Sequence, residues 1–224
     1  IDLRNNQLME ATIEPATDEE IRNTIKVMGG EDWILWIKAL KEAGVLADGA
    51  KTVAYSYIGP ELTYPIYKEG SIGQAKKDLY ASADKIQAEI DGVEAYVSVN
   101  KAVVTQSSAA IPIVPLYLAI LFKVMKEQKV QEGCIEQMYR MIHDRLCNGG
   151  AVVTDENRLI RMDDWEMEPK VQEAVAEIWQ KIDQDNLEDV TDLDGYWQEF
   201  YEIFGFRING VDYGADVDAD VQIP

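Results

Sequence analysis

Residues 52–76 read TVAYSYIGPELTYPIYKEGSIGQAK. The run 53–58 is β-branched and aromatic and is closed by Gly59-Pro60, which predicts a buried strand. Ser71-Ile72-Gly73-Gln74 follows the capping-box pattern, Ser at the N-cap and Gln three residues on. A helix is predicted from there to about residue 90, with Lys76 in its first turns and Tyr67 just before it. Further on, 94–100 carries AYVSV and predicts a second short buried strand. Two such strands separated by a helix predict a βαβ unit in a parallel sheet, with ligand at the carboxyl ends of the strands. Tyr57, near the end of the first strand, and Thr105, just after the second, fall at that edge.

Tyr67 and Lys76 are nine residues apart. At about 100° per residue, nine steps point to opposite sides of one straight helix. If the two cooperate, the helix must be broken between them. Gly70 and the Ser71 cap supply the break, which leaves Tyr67 on an approach loop able to fold back over Lys76. An ammonium beside a phenol favours the ionised phenol, so such a pair can stabilise an enolate and release a proton near neutral pH. The spacing also admits the plainer alternative, a packing tyrosine and a solvated helix lysine.

Working outward, 1–16 reads as a connector. Thr17-Asp18-Glu19-Glu20 is a second capping box, opening a helix to about residue 27. Residues 31–43 place Trp33, Trp36, Ile37 and Leu40 at helical spacing, and all four are expected in the core. Residues 116–127 and 131–147 read as helices. Ala151-Val152-Val153 and 158–162 flank a turn-forming segment and predict a small hairpin. Pro169 suits a first helical position, with Val171, Val175, Ile178 and Ile182 as a buried stripe. A last amphipathic helix is predicted over 193–204.

The chain has 224 residues, enough for one sizeable domain or part of a larger one, and a net charge of −20. A surface that acidic repels phosphate backbones and anionic lipid, so neither nucleic acid nor a membrane surface is an expected partner. An acidic substrate would need a local basic site, for which Lys76, Lys77 and Lys101 are candidates. Cys134 and Cys147 read as reduced thiols of a cytoplasmic protein. A single histidine, His143, leaves no His pair for zinc and reads as a surface residue. The apolar run 109–124 is too short for a bilayer span and holds Pro112 and Pro115, so a buried helix is expected. Asp216, Asp218 and Asp220 alternate like the start of a calcium loop but lack its glycine and glutamate. Asp163-Asp164 reads as a helix-start charge pair.

Several segments together carry a resemblance. They are VMGGEDW at 27–33, AYSYIGP at 54–60, Tyr67-x8-Lys76, VSVNKAVVT at 97–105, Ile111-Pro112, PLYL at 115–118, FKVMKE at 122–127, EGCIEQ at 132–137, MDD at 162–164 and GVDY at 210–213. In this order, over nearly the whole chain, they resemble the trans-2-enoyl-CoA/ACP reductase family. Members of that family are roughly twice this length and open with a nucleotide-binding half bearing a glycine-rich loop. This chain shows no such loop and resembles their C-terminal portion.

The resemblance implies an α/β fold, a partial Rossmann-like, short-chain-dehydrogenase-like parallel sheet with a largely helical C-terminal region covering the substrate. Residues 17–128 would be the C-terminal part of the nucleotide-binding and catalytic domain, and 129–224 a mainly helical region with the small hairpin and an acidic tail. The implied reaction is NADH-dependent reduction of the C2=C3 bond of an enoyl-CoA or enoyl-ACP thioester by a monomeric, cytoplasmic enzyme. By the same resemblance, Tyr67 is the proton donor, Lys76 binds the nicotinamide ribose and lowers the Tyr67 pKa, and Tyr57 contacts the thioester carbonyl. Ala102, Val103, Val104 and Thr105 would lie along the nicotinamide and diphosphate. Val114, Phe122 and Tyr196 would line the acyl pocket, with core packing as the alternative for each. The family's C-terminal region is sometimes labelled flavin-binding; no flavin fingerprint is present, and nicotinamide suffices. Two other classes stay open, a Tyr-Lys oxidoreductase acting on 3-oxoacyl thioesters and a non-catalytic binding module.

Overall fold

Thr17 accepts the Glu20 amide while the Glu20 carboxylate reaches back to the Thr17 amide and hydroxyl. This closed capping box starts α1 (Asp18–Met28). The computed structural model describes residues 1–218 and 220. In α2 (Glu31–Glu42), Ile37 is buried and Trp33 and Leu40 are half-buried. Trp36 departs from the expected core and is 68 % exposed. Positions 33, 37 and 40 share one narrow face at about 100° per residue, and position 36 falls at its margin. The Trp33 indole donates to Thr52 Oγ1 at 2.9 Å, tying α2 to the strand that follows.

That strand, β1 (Ala50–Ser56), begins three residues before the predicted run and ends before Tyr57. After one 3₁₀ turn, Glu61–Thr63, come a single-turn helix, α3 (Tyr64–Tyr67), and the long α4 (Ser71–Glu89). The expected approach loop is thus itself helical up to Tyr67. The break before α4 is where the sequence places it, but the cap is not Ser71. Gly70 is the N-cap, in extended backbone, and Ser71 is the first helical residue with no side-chain cap bond. A Cβ on Gly73 would collide with the backbone carbonyl of Lys68, so glycine there lets α3 fold close against α4. Gly73→Ala is expected to cost about 1–3 kcal/mol in urea unfolding. It should also lower activity, because the α3–α4 junction lies between Tyr67 and Lys76.

β2 (Val93–Val99) pairs parallel to β1, from Ala50 opposite Val93 to Ser56 opposite Val99. Leu79, Ala83 and Ile86 of α4 pack with Val93, Ala95, Val97 and Val99, completing the predicted βαβ unit. Next comes α5 (Val114–Glu127), with Pro115 in its first turn and every residue from Val114 to Phe122 buried. Its continuous apolar sequence suits a helix enclosed on all sides. The long helix expected over 131–147 is shorter and irregular, α6 (Cys134–Arg140) running into a π-helical turn, Met141–Leu146.

The predicted hairpin does not form. Among the described residues, 151–153 contribute no strand, and β3 (Leu159–Arg161) pairs parallel to β2 instead. Asp155 accepts the amides of Asn157 and Leu159 and folds the preceding segment into a tight turn rather than a partner strand. The open edge of β2 supplies the backbone partners β3 needs. The sheet order is β1-β2-β3. α7 (Pro169–Lys181) starts on Pro169 as read from sequence, and α8 (Leu187–Val190) and α9 (Leu193–Glu202) follow. Val171 and Val175 of α7, Leu187 of α8, and Leu193 and Tyr196 of α9 close over α5 in the larger core. No helix among the described residues is long and apolar enough to cross a membrane, and no metal-binding cluster of His, Cys, Asp and Glu occurs among them.

Candidate active site

Beyond the carboxyl ends of β1 and β2 lies a cavity of about 260 Å³. Parallel pairing explains its place, because both strands end on the same side and their continuations diverge there. Tyr57 enters from β1, Tyr67 from the end of α3, and Lys76 from the second turn of α4. Ala102, Val103 and Thr105 border it after β2, and Val114 borders it from the start of α5. The short α3 and the Gly70 break thus bring Tyr67 and Lys76 to one cavity.

Three expected residues do not line it. Val104 turns into the core, and Phe122 and Tyr196 are fully buried there. Phe122 lies two turns along α5 from Val114 and faces the Lys101 ammonium at 5.4 Å. Tyr196 packs against Trp197 and Phe200. These side chains form a layer behind the cavity wall.

The Tyr57 and Tyr67 rings meet edge to face, with centroids 4.8 Å apart. Burial, and then the charge of Glu166, push the Tyr67 phenol up to about 12. This is opposite to the lowering by Lys76 that the resemblance implied. Lys76 makes no ion pair or hydrogen bond among the described residues, and burial lowers its own pKa. Its free donors, held in a partly dry site, suit a pair of sugar hydroxyls.

Lys101, a candidate for the local basic site, borders the same cavity beside Ala102. It is 2 % exposed, and its ammonium donates to the Ala102 carbonyl at 2.9 Å. Lys77 is exposed on α4 and donates only to Gln74, at 3.4 Å. Asp163 and Asp164 start no helix. Asp163 is buried against Arg161 at 2.6 Å, while Asp164 accepts from Arg140 and Arg145 at 2.9 and 2.8 Å.

The residue the sequence hid is Glu166. It is fully buried, and its Oε1 accepts from the hydroxyls of Tyr57 at 2.9 Å and Tyr117 at 2.6 Å. Its Oε2 accepts the Ala102 amide at 2.7 Å. Arg140 holds the loop that carries it. The guanidinium grips Glu132 at 2.6 Å, donates to the Met162 carbonyl at 2.9 Å, and lies over the Trp165 ring at 4.2 Å. Together the cavity offers a half-buried phenol able to donate a proton, a second phenol beside it, an ammonium without a partner among the described residues, and an apolar wall. Such a set can protonate a carbanion and bind the oxygen that carries its charge.

Comparison with known proteins finds relatives of the chain. The family model described as trans-2-enoyl-CoA reductase catalytic region matches residues 1–147, and one described as enoyl reductase FAD binding domain matches 154–217. A trans-2-enoyl-CoA reductase [NADH] of Ruminiclostridium cellulolyticum is 54 % identical, over 100 % of this chain and 57 % of its own length. An enoyl-[acyl-carrier-protein] reductase [NADH] of Psychromonas ingrahamii is also 54 % identical, over 99 % and 56 %. The crystal structure of Treponema denticola trans-2-enoyl-CoA reductase in complex with NAD superimposes with a TM-score of 0.91 at 50 % identity, covering 94 % of this chain and 53 % of that one. The chain therefore spans about half the length of the curated relatives it matches. Within 154–217, Val171, Val175, Leu187 and Tyr196 are spent on the core against α5, so these side chains do not form the slot a flat flavin ring needs.

Proposed function

Because the chain belongs to the trans-2-enoyl-CoA reductase family, we propose that it carries the proton-donating and substrate-facing part of an enzyme that reduces the C2=C3 bond of trans-2-enoyl thioesters. The observation that carries this reading is the convergence of Tyr67 and Lys76 on one cavity at the strand ends. Bound NADH would supply the hydride at C3. Tyr67, protonated throughout the neutral range, gives a proton to the enolate that results, ending at C2. Tyr57 faces the thioester carbonyl. Lys76 holds the ribose hydroxyls, and the 102–105 segment borders the nicotinamide side. Val114 faces the acyl chain, with Phe122 and Tyr196 stiffening the wall behind it. The glycine-rich phosphate cradle belongs in the half of the relatives' length that this chain does not span, and that half is the partner the cavity requires. CoA and acyl-carrier-protein thioesters both fit the reading. Exposed, free Cys134 and Cys147 support a reducing, cytoplasmic setting, and a monomer suffices for the side chains placed at the cavity, which all come from one chain.

The full-length protein should oxidise NADH with trans-2-butenoyl-CoA and not with 3-oxobutanoyl-CoA. The reverse preference would assign the site to carbonyl reduction. Lys76→Ala should weaken NADH binding, followed by fluorescence titration, by about tenfold or more, which corresponds to about 1.4 kcal/mol. Unchanged affinity would remove the ribose role.

A further inference from the structure

A phenol carries one hydrogen and can donate one hydrogen bond at a time. The Tyr57 and Tyr117 hydroxyls both lie within bonding distance of Glu166 Oε1, at 2.9 and 2.6 Å. Gln172 Nε2 donates to the Tyr117 oxygen at 3.3 Å, so the Tyr117 hydrogen is left for Glu166. An ionised Glu166 only accepts, and it then claims the Tyr57 hydrogen as well. In that state Tyr57 turns only lone pairs toward the cavity. A thioester carbonyl oxygen, also an acceptor, finds no donor there.

A proton on Oε1 reverses this bond. The carboxyl then donates to the Tyr57 oxygen while still accepting from Tyr117 on Oε1 and from the Ala102 amide on Oε2. The Tyr57 hydrogen is released to the cavity. We propose that Glu166 is a positioning residue whose neutral form turns the Tyr57 hydroxyl toward the thioester carbonyl, so that enoyl thioesters are reduced efficiently only while this carboxyl carries a proton. This rests on the enoyl-thioester reading above.

The surroundings favour the neutral form. Tyr57 and Tyr67 face Glu166 from the β1–α4 side, Tyr117 from α5, neutral Gln172 from α7, and Lys101 from the segment after β2. Lys101 is shared with Glu132, Glu199 and Cys134. Burial pushes the Glu166 carboxyl up, and the bonds from Tyr117, Ala102 and Tyr57, together with the Lys101 charge, offset only part of that push. A raised pKa means the proton is present below it and lost as pH rises through it, so activity should fall on the alkaline side.

The test is kcat/KM for trans-2-butenoyl-CoA with the full-length enzyme, from about pH 5 to about pH 9. The parent should lose about tenfold per pH unit above the Glu166 pKa. Glu166→Gln keeps an acceptor for the Ala102 amide and a donor for Tyr57, while the Tyr117 hydroxyl gives up its bond to Oε1. This variant should stay within about tenfold of the parent at low pH and lack the alkaline fall. Tyr57→Phe should have a lower kcat/KM that is flat over the same range. Persistence of the fall in either variant would overturn the proposal. Infrared titration without substrate gives an independent readout. A buried protonated-carboxyl band should persist above the ordinary carboxyl range in the parent and be missing from Glu166→Gln. A parent whose carboxyl bands all titrate in the ordinary range would overturn the proposal even if the glutamine variant failed to fold. A parent inactive on enoyl thioesters would instead overturn the function, and the infrared result would still decide the state of Glu166.

Discussion

Tyr67→Phe in the full-length enzyme should bind NADH almost as the parent does and lose about 10²–10⁴-fold in enoyl-CoA-dependent NADH oxidation, the range typical of a positioned acid. The substitution removes one oxygen and little else. The ring stays, and with it the edge-to-face contact with Tyr57 at 4.8 Å. No hydrogen bond from the Tyr67 hydroxyl to another residue needs replacing among the described residues, so the fold should be undisturbed. Burial and Glu166 hold the phenol up to about 12, so it remains protonated, and a competent donor, across the neutral range. Stopped-flow NADH oxidation and a separate NADH titration separate the two effects. Full turnover in the variant would remove Tyr67 from the proton path and pass that role to Tyr57 or to solvent.

Arg140→Ala should destabilise the chain by about 3–5 kcal/mol, the usual consequence of leaving a buried charge without its partner. The Glu132 side chain is 4 % exposed and is held by Arg140 at 2.6 Å. The same guanidinium bonds Asp164 and the Met162 carbonyl and covers Trp165. Loss of this fork frees the loop that presents Glu166, so the buried phenol network should loosen along with the fold. Arg140→Lys restores a charge but not the planar fork, and should recover only part of the loss. Urea unfolding checks both. A change below about 1 kcal/mol for Arg140→Ala would place the pair among weak surface bridges instead.

Much of the sheet and its crossover helix was legible because the signals are local. The β-branched runs around residues 53–58 and 94–100, the Thr17 box and Pro169 each carry their own reason for a strand or a helix start. For Tyr67 and Lys76 the spacing showed only that a helix break would be needed for them to meet; their pairing came from the resemblance. What failed depended on distant partners. Residues 158–162 read as half of a hairpin, yet their partner is the edge of β2, which no local pattern names. Ser71 looked like a cap, but Gly70, free of a side chain, takes that place. Trp36 shares the spacing of its neighbours and misses their face by a fraction of a turn. Lys101 could be named as a candidate cation from sequence, but not its burial or its bond to the Ala102 carbonyl. Glu166 sits in an acidic run, Asp-Asp-Trp-Glu-Met-Glu, and only the fold gathers Tyr57, Ala102 and Tyr117 around it. Its loop position and the adjacent Trp165 were the sole hints that this segment turns inward.

The most direct test of the central claim is the fate of the two hydrogens. Trans-2-butenoyl-CoA would be reduced by the full-length enzyme with NADH deuterated at the transferring position, in ordinary water, and the product read by NMR. Deuterium at C3 with a solvent-derived proton at C2 is the expected result, because the proposed roles make Tyr67 the proton donor to the enolate and leave C3 to the nicotinamide. Deuterium at C2, or no saturated acyl product from trans-2-butenoyl-CoA, would contradict it.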